Sequence, residues 1–389
     1  RIGWITNKRG AGYEPVIGVN SILKCRGPVT PSSRKVHFDI VIKEIGYNPE
    51  PYVIADAYMY ADGHFIVHFT DMGMRLANVA RPDLESFWQQ SIAQTHGKHD
   101  SSSPEPLFNK DHIRDFALGK PSQAFGEAYR PFDSKRFIAR LPAPPYSFIH
   151  RIIRAEPEPW ILKADGWIEA EYDVDPDAWY FAANRSASMP FCVLQEIALQ
   201  SCGWLAAYMG SALRSSKDLR FRNLGGTATI HRNIPVEIAT LKTRARLLSV
   251  SEAADMIIEN FEFQVLRNNH SIYTGETNFG FFTPDALTQQ IGIRHAAKAA
   301  GELVSGIRIN NGPIFFENDP PLFPGDTAHS MHETMAIPSK ALRMVDRIEA
   351  FDSSGGIAGL GCIRGVKTVD PQEWFFKAHF FQDPVCPGS

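Results

Sequence analysis

Internal repetition is the feature of this 389-residue sequence that most limits the folds open to it. Residues 148–191 align with residues 343–388, and both segments contain a strand-like run, an Asp-Pro turn and a Trp-aromatic-Phe triplet. Residues 19–76 and 219–282 form a second pair, which shares long alternating runs, a glycine near the first strand and a hairpin turn. Repeats of this kind predict antiparallel sheets built from related units, not βαβ units.

A long apolar helix is predicted in the middle of the chain. Residues 191–209 are its most apolar stretch, and the N–H that Pro190 lacks is not needed in a first helical turn. Apolar side chains recur there at helical spacing, at Phe191, Leu194, Ile197, Ala198, Cys202 and Leu205. Gly210 suits the end of this helix. Because a carboxylate such as Glu196 is costly in lipid, we predict a buried core helix and not a membrane span.

Shorter segments connect the repeats. Residues 95–106 are polar and rich in serine and proline, and residues 318–326 are rich in proline, so both are predicted to be surface linkers. Residues 109–120 and 287–303 have helix-like patterning. The order along the chain is therefore the second half of one unit, which consists of strands, then a connector, a whole unit, a second connector and the first half of a third unit.

The composition argues against several classes of function. With a net charge of −3 and a pI near 6.5, the chain has no polybasic or polyacidic run that would bind nucleic acid or a membrane surface. The five cysteines are widely spread, without a Cys-x-x-Cys pair, which predicts a reduced, cytoplasmic location and no structural metal. No start methionine or signal segment opens the chain, so we expect it to be cut from something longer.

A specific motif stands at the C-terminus. Residues 374–389 read WFFKAHFFQDPVCPGS and contain the string H-F-x-x-D-P-x-x-P-G. This string resembles the active-site motif of the bacterial β-hydroxyacyl-ACP dehydratase/isomerase family, and in particular the tandem dehydratase region of polyunsaturated fatty acid synthases. Residues 177–213 resemble the part of those synthases that lacks the histidine and is called a pseudo-dehydratase. Residues 19–76 resemble the C-terminal strands of the same family.

The resemblance implies an α+β fold of tandem hot dogs, in each of which an antiparallel sheet wraps round a long central helix, paired as a double hot dog. It divides the chain into the C-terminal half of an upstream dehydratase hot dog (1–80), a linker (81–107), a complete pseudo-dehydratase hot dog (108–285), a connector (286–334) and the N-terminal half of a following dehydratase hot dog (335–389). We expect the complete unit to pair with a neighbour through its sheet edge, because an uncovered edge strand is an aggregation hazard.

The resemblance also implies a reaction. Members of the family remove water from 3-hydroxyacyl thioesters, held on the phosphopantetheine of an acyl carrier protein, to give trans-2-enoyl thioesters. Enoyl isomerisation is left open as a further activity. No metal, nucleotide or flavin cofactor is expected. The expected partners are acyl carrier protein domains, other domains or subunits of the synthase, and neighbouring hot-dog units.

His379 is the predicted catalytic base. Dehydration needs a base for the C2 proton, an acid for the leaving hydroxyl and donors for the thioester carbonyl, and imidazole exchanges a proton near neutral pH. Asp383 is a second predicted site residue, for which fixing the loop is the alternative to proton transfer. Pro387 and Gly388 would open a helix, whose free N–H groups make the backbone of Gly388 a predicted donor to the thioester oxygen. Cys386 adjoins this substrate-binding loop.

Glu196 and Asn184 are the predicted site residues of the complete unit. Asn184 stands five residues beyond Trp179, as His379 stands five beyond Trp374, but an amide cannot act as a base near pH 7. Asn184 is therefore predicted to contact substrate or to be structural. When the two motifs are aligned on their shared proline, Glu196 falls where the family has its acidic residue. Since the family builds its site from the histidine of one hot dog and the carboxylate of another, Glu196 either faces His379 or lies buried, bonded to Gln200 or to backbone, in a site without chemistry.

Two other functions stay open at this point. A scaffold that docks carrier domains or pairs with active units is compatible with Asn184 in the place of a histidine, and a hot-dog thioesterase would need an acid placed to activate water. We expect residues 1–389 alone to have little dehydratase activity, because the central helix of the unit with His379 is not among them. A basic cluster either meets a carrier protein or forms a solvated face. The cluster consists of Arg214, Lys217, Arg220 and Arg222.

Overall fold

Strands dominate the described part of this computed structural model, which comprises residues 12–79, 105–185, 188–253, 256–293, 314–315, 338–356 and 358–388. The first segment contains β1 (Gly12–Pro15), β2 (Asn20–Cys25), β3 (Lys35–Gly46), β4 (Tyr52–Ala61) and β5 (His64–Ala77). The last segment contains β12 (Ile314–Phe315), β13 (Arg347–Asp352), β14 (Cys362–Thr368) and helix α6 (Trp374–Ala378).

The middle segment contains the longer helices. It begins with α1 (Lys110–Ala117), α2 (Pro121–Phe125) and a 3₁₀ helix (Glu127–Asp133). Strands β6 (Arg151–Glu156) and β7 (Trp167–Val174), helices α3 (Trp179–Asn184) and α4 (Phe191–Tyr208) and a second 3₁₀ helix (Ser211–Arg214) follow. The segment ends with β8 (Arg220–Ile230), β9 (Ala239–Ala253), β10 (Met256–Arg267), β11 (His270–Phe282) and helix α5 (Pro284–Thr288).

The described strands form one antiparallel sheet in the order β12-β13-β14-β3-β4-β5-β2-β8-β11-β10-β9-β7-β6, with β1 beside β5. The middle segment supplies the half from β8 to β6, called here the complete unit. The outer segments supply the other half, called here the split unit. The repeated strands β2 and β8 pair at the centre, from Asn20↔Thr229 to Lys24↔Gly225. The double hot dog and the pairing of the complete unit through its sheet edge are thus confirmed.

Helix α4 is the core of the complete unit. It begins after Pro190 and is followed by Gly210 in the left-handed conformation, as the sequence predicts. Its buried side chains pack against β7, β9 and β10, which wrap round it. Each fully buried large aliphatic side chain stabilises the folded state by roughly 1.5–3 kcal/mol. Among the described residues, no helix combines the length and the apolar character that crossing a membrane requires.

Other local predictions have mixed outcomes. Helix α1 lies within the predicted range 109–120, and two predicted hairpin turns are present, with positive φ at Asp62 and Gly63 between β4 and β5 and at Asn268 and Asn269 between β10 and β11. The predicted helix over 287–303 is wrong at its start, because α5 is capped earlier, by Thr283, and ends at Thr288; residues 294–303 lie outside the described residues. The two predicted linkers lie almost wholly outside the described residues.

The split unit is held together by pairing of β14 with β3, from Cys362↔Val41 to Thr368↔Lys35. Arg364 lies opposite Asp39 and binds both of its carboxylate oxygens, at 2.7 and 2.8 Å. The segments predicted to belong to an upstream and a following dehydratase therefore lie side by side in one sheet. Their origin in two different dehydratases, and the unit boundaries given above, stay predictions.

Gly225 lies at a close approach between the two units. Its φ is +134°, and a Cβ at this position would lie 2.1 Å from the carbonyl oxygen of Leu23 on β2. Strand β2 can approach this closely only because the side chain is absent.

Gly225→Ala is expected to destabilise the protein by more than the roughly 1–3 kcal/mol of backbone strain, since β2 must also move away from β8. Both units should lose stability in one shared transition of denaturant unfolding. Gly63→Ala is the matched control, because Gly63 also has a positive φ but a Cβ there would meet no atom within 4 Å. Equal losses in the two variants would contradict the close approach.

Glu259 is a buried carboxyl in the core of the complete unit. It lies on β10, accepts a hydrogen bond from Ser211, and its Oε2 has no hydrogen-bond partner. Burial raises the pKa of this carboxyl from its ordinary value of 4.5 to about 7. The folded state therefore binds a proton that the unfolded state releases between those two values.

Glu259→Gln is expected to stabilise the protein increasingly as pH rises. Because the folded-state pKa is raised, the wild type loses stability between pH 4.5 and about 7, and the variant does not. The advantage of the variant should grow from near zero to about 3 kcal/mol. Urea unfolding of both proteins across this pH range measures it, and a pH-independent difference would contradict the assignment.

Candidate active site

A cavity of about 150 Å³ lies where the two units meet. Helix α4 and strands β8 and β11 of the complete unit form part of its wall, and β2, β5 and the segment after α6 of the split unit form another part. Five of the predicted site residues line it: His379, Glu196, Cys386, Pro387 and Gly388. The structure therefore brings together residues 183 positions apart, from two different units.

His379 follows directly after α6 and is oriented by its own loop. Its Nδ1 lies 3.2 Å from the carbonyl oxygen of Val385, and its own carbonyl accepts the N–H of Val385 at 3.0 Å. Because a carbonyl can only accept, Nδ1 carries the proton and Nε2 keeps a lone pair. The ring of Tyr146 stands perpendicular to the imidazole, with 6.0 Å between the ring centroids.

Burial lowers the pKa of His379 from its ordinary value of 6.5. The charge of Glu196 opposes this shift, as does the hydrogen bond to Val385, whereas the charge of Arg222 adds to it. The imidazole is therefore held in its neutral form at neutral pH. A neutral imidazole with a free lone pair can accept a proton.

Glu196 is held on α4 by Gln200, one helical turn further on. The Gln200 side chain is itself fixed by two backbone groups: its Oε1 accepts from Phe148 N–H at 2.8 Å, and its Nε2 donates to the carbonyl of Tyr146 at 2.9 Å. Its second N–H is left to donate to Glu196 Oε2, at 3.0 Å. Glu196 is only 4% exposed. The hydrogen bond from Gln200 therefore fixes one of its carboxylate oxygens in the wall of an apolar cavity.

Asp383 is not among the residues that line the cavity, and its carboxylate pairs with Arg222 on β8, which does line it. The guanidinium binds both carboxylate oxygens, at 2.6 and 3.2 Å. Of the two roles open to Asp383, fixing the loop is the one that this contact favours. The basic cluster of the sequence divides accordingly: Arg220 donates to the carbonyl of Gln382 at 3.2 Å, whereas the exposed Arg214 pairs with Glu252.

The remaining residues of the motif line the cavity through backbone and small side chains. Cys386 donates its N–H to the carbonyl of Val29 at 2.7 Å, and burial raises the pKa of its thiol to about 12, which disfavours a thiolate. Gly388 is exposed, and a Cβ placed on it would meet no atom within 4 Å. The predicted contacts of Cys386, Pro387 and Gly388 with substrate stay predictions.

Asn184 lies apart from these residues. It is the last residue of α3, is half-buried, and does not belong to the wall of the cavity. The tryptophans of the two repeated triplets nevertheless meet, with the ring centroids of Trp179 and Trp374 5.2 Å apart. The predicted contact of Asn184 with substrate is not tested by this position and stays a prediction.

The sequence analysis did not assign two residues that support the site, Arg222 and Tyr146. The hydrogen bond between Gln200 and Glu196, four residues apart on the helix, was one of its alternatives and is present. Arg222 was included in the basic cluster but not matched to Asp383, from which it is 161 positions away. No sequence signal marks Tyr146. Within the described residues, no group of three or more His, Cys, Asp or Glu side chains is placed to hold a metal ion.

Comparison with known proteins agrees with the motif. Residues 3–70 and 337–389 match the family described as FabA-like domain. These two segments of the chain are thus similar to FabA-like domains. The described parts of these two matched segments belong to the split unit. The second segment includes His379.

One of the subunits of a polyunsaturated fatty acid synthase from a Thraustochytrium species is 28% identical over 293 residues, which cover 72% of this chain and 19% of that protein. The chain thus spans about a fifth of the length of this curated relative. Together with the FabA-like match, this confirms the resemblance to the dehydratase region of polyunsaturated fatty acid synthases.

Solved structures are similar to this chain at lower identity. The dehydratase heterocomplex ApeI:P from Xenorhabdus doucetiae is 16% identical, with a TM-score of 0.31, and the match covers 39% of this chain and 93% of that one. The tesB protein of Mycobacterium avium subspecies paratuberculosis is 10% identical, with a TM-score of 0.35, and the match covers 70% and 80%.

Proposed function

We propose that the cavity between the units is the site of a dehydratase, which converts 3-hydroxyacyl thioesters to trans-2-enoyl thioesters. The observation that carries the proposal is that His379 and Glu196 line the same apolar cavity, each supplied by a different unit. A base and an acid in one water-poor space are what the elimination of water requires.

The proposed chemistry needs one proton transfer at each residue. His379 Nε2 takes the proton from C2 of the acyl chain, and the electron pair of the broken C–H bond forms the C2–C3 double bond. Glu196 gives its proton to the hydroxyl on C3, which leaves as water. The site is reset when the imidazolium returns a proton to the carboxylate. The backbone N–H of Gly388 is the proposed donor to the thioester oxygen, and no cofactor takes part in these steps.

The substrate is proposed to be carried on the phosphopantetheine of an acyl carrier protein, within a synthase that supplies the other domains. The similarity to part of a synthase supports this assembly. In this arrangement the complete unit contributes an acid and not a base. It therefore has a chemical role although Asn184 stands in the place of its histidine. Isomerisation of the enoyl product remains a further proposal for the same base.

The test is to incubate the chain with a 3-hydroxyacyl thioester on a carrier protein and to follow the bound acyl group by mass. Loss of one water supports the dehydratase, release of free acid would identify a thioesterase, and binding without conversion would identify a scaffold. From the sequence we expected little dehydratase activity, because residues 1–389 do not include the central helix of the unit with His379 and therefore lack the acid on that helix. Glu196 in the wall beside His379 supplies that acid, so conversion is now the expected outcome.

A further inference from the structure

The loop that presents His379 is anchored from both units. Inside the loop, His379 and Val385 exchange two hydrogen bonds, and the N–H of Asp383 donates to the carbonyl of Phe380 at 3.1 Å. On the side of the split unit, the loop is held by the N–H of Cys386, which donates to the carbonyl of Val29, and by packing of Cys386 against the core of that unit. On the side of the complete unit, it is held through the side chain of Asp383.

The contact with the complete unit is a bidentate ion pair. Arg222 and Asp383 are 13% and 18% exposed, so the pair is partly shielded from water and salt. A planar guanidinium that binds two carboxylate oxygens fixes direction as well as distance. Arg220 is the neighbouring side chain on the same face of β8, and it binds the preceding backbone carbonyl, that of Gln382.

We propose that Arg222 is a positioning residue for His379, supplied across the unit boundary by the unit that lacks a histidine. Arg222 lies in the wall of the cavity, and its guanidinium binds the carboxylate of Asp383, through which it is proposed to act. The inference rests on the proposed function in one respect, that His379 is the base. The complete unit therefore contributes two groups to the site of its neighbour, Glu196 as the acid and Arg222 as the support of the base.

The charges around His379 make this role measurable. Glu196 on α4 favours the imidazolium, and Arg222 on β8 disfavours it. Asp383 in the loop offsets the charge of Arg222, and Tyr146 faces the ring from the segment before β6. Removal of Arg222 and removal of Asp383 are therefore expected to shift the pKa of His379 in opposite directions.

Arg222→Gln is expected to raise the pKa of His379, because a positive charge is lost and Asp383 is left unbalanced. Asp383→Asn is expected to lower it, because the charge of Arg222 is no longer offset. Arg222→Lys keeps the charge but cannot bind both oxygens, so it should titrate like the wild type. Each of the three should lower kcat about tenfold or more, with KM little changed, as loss of a charge-assisted contact predicts.

Histidine NMR titration of the whole chain measures the pKa, with the His379 signal identified by its loss in His379→Gln. Arg151→Gln is the matched control: it removes a similar bidentate pair, with Asp173 at 2.6 and 2.8 Å, outside the cavity. It should cost stability and leave the titration of His379 unchanged.

Two opposite shifts support the inference even if the chain has no dehydratase activity, in which case only the proposed reaction fails. A folded Arg222→Gln protein with unchanged titration and unchanged kcat would overturn it. If Arg222→Gln does not fold, Asp383→Asn decides, and the absence of a downward shift would overturn the inference in the same way.

Discussion

Replacing His379 by glutamine is expected to lower kcat/KM for dehydration by at least about a hundredfold, the usual loss when a general base is removed. Glutamine has a side-chain N–H that can still donate to the carbonyl of Val385, so the loop should keep its conformation. What the variant lacks is a nitrogen with a lone pair that binds a proton near pH 7. The measurement is the rate of water loss from a carrier-bound 3-hydroxyacyl thioester, with circular dichroism as the check on folding.

His64→Gln is the control for this experiment, since His64 is exposed at the start of β5, away from the cavity. The pH dependence gives an independent check. A base acts in its neutral form, so activity falls as pH drops through the pKa of His379. Because burial lowers that pKa, the acid limb of the wild-type profile should lie below the ordinary histidine value of 6.5. A normal rate in His379→Gln would remove the base from the proposal.

The parts of the fold that could be predicted from the sequence are those marked by local signals, such as helix ends and apolar spacing, or by the internal repeat. Helix α4 was predicted from Pro190, its apolar spacing and Gly210, and all of these are local signals. The pairing of β2 with β8 was foreseen as pairing through a sheet edge, because the repeat supplies a related strand for the edge to meet. The partner strand and its register depend on tertiary contacts, which composition and spacing do not encode.

The candidate site was predictable to a smaller extent. The motif around His379 indicated a candidate base, but whether Glu196 lines the same cavity depended on how the units pair, and both alternatives were open. The contact between Arg222 and Asp383 joins residues on two units, and no periodicity relates a strand residue to a loop residue. Charges of opposite sign were visible in the sequence, but which charge meets which is decided by the fold.

Pairing of β14 with β3 is a further feature that the sequence did not indicate. The family match falls on two segments at opposite ends of the chain, and in the structure they form one half of the sheet, with His379 in one of them. The cavity wall includes Val29, Ile66 and Val67 from the N-terminal segment. Both ends of the chain thus contribute to the site, together with α4 from the middle.

Replacing Glu196 by glutamine is expected to reduce kcat for dehydration by about a hundredfold to ten-thousandfold, the range for loss of a general acid. Glutamine has the same shape, and its carbonyl can still accept the hydrogen bond from Gln200. It has no proton to give to the leaving hydroxyl.

Glu259→Gln is the matched control, because it replaces a second buried carboxyl of the complete unit, one that does not line the cavity. It should leave the rate of dehydration unchanged while it alters stability. The comparison separates proton donation from the burial of a carboxylate. If Glu196→Gln also kept the wild-type rate, Glu196 would be a buried carboxyl in a unit without chemistry, and the acid would have to come from another residue. A loss confined to Glu196→Gln would instead place the acid on the unit that lacks the histidine.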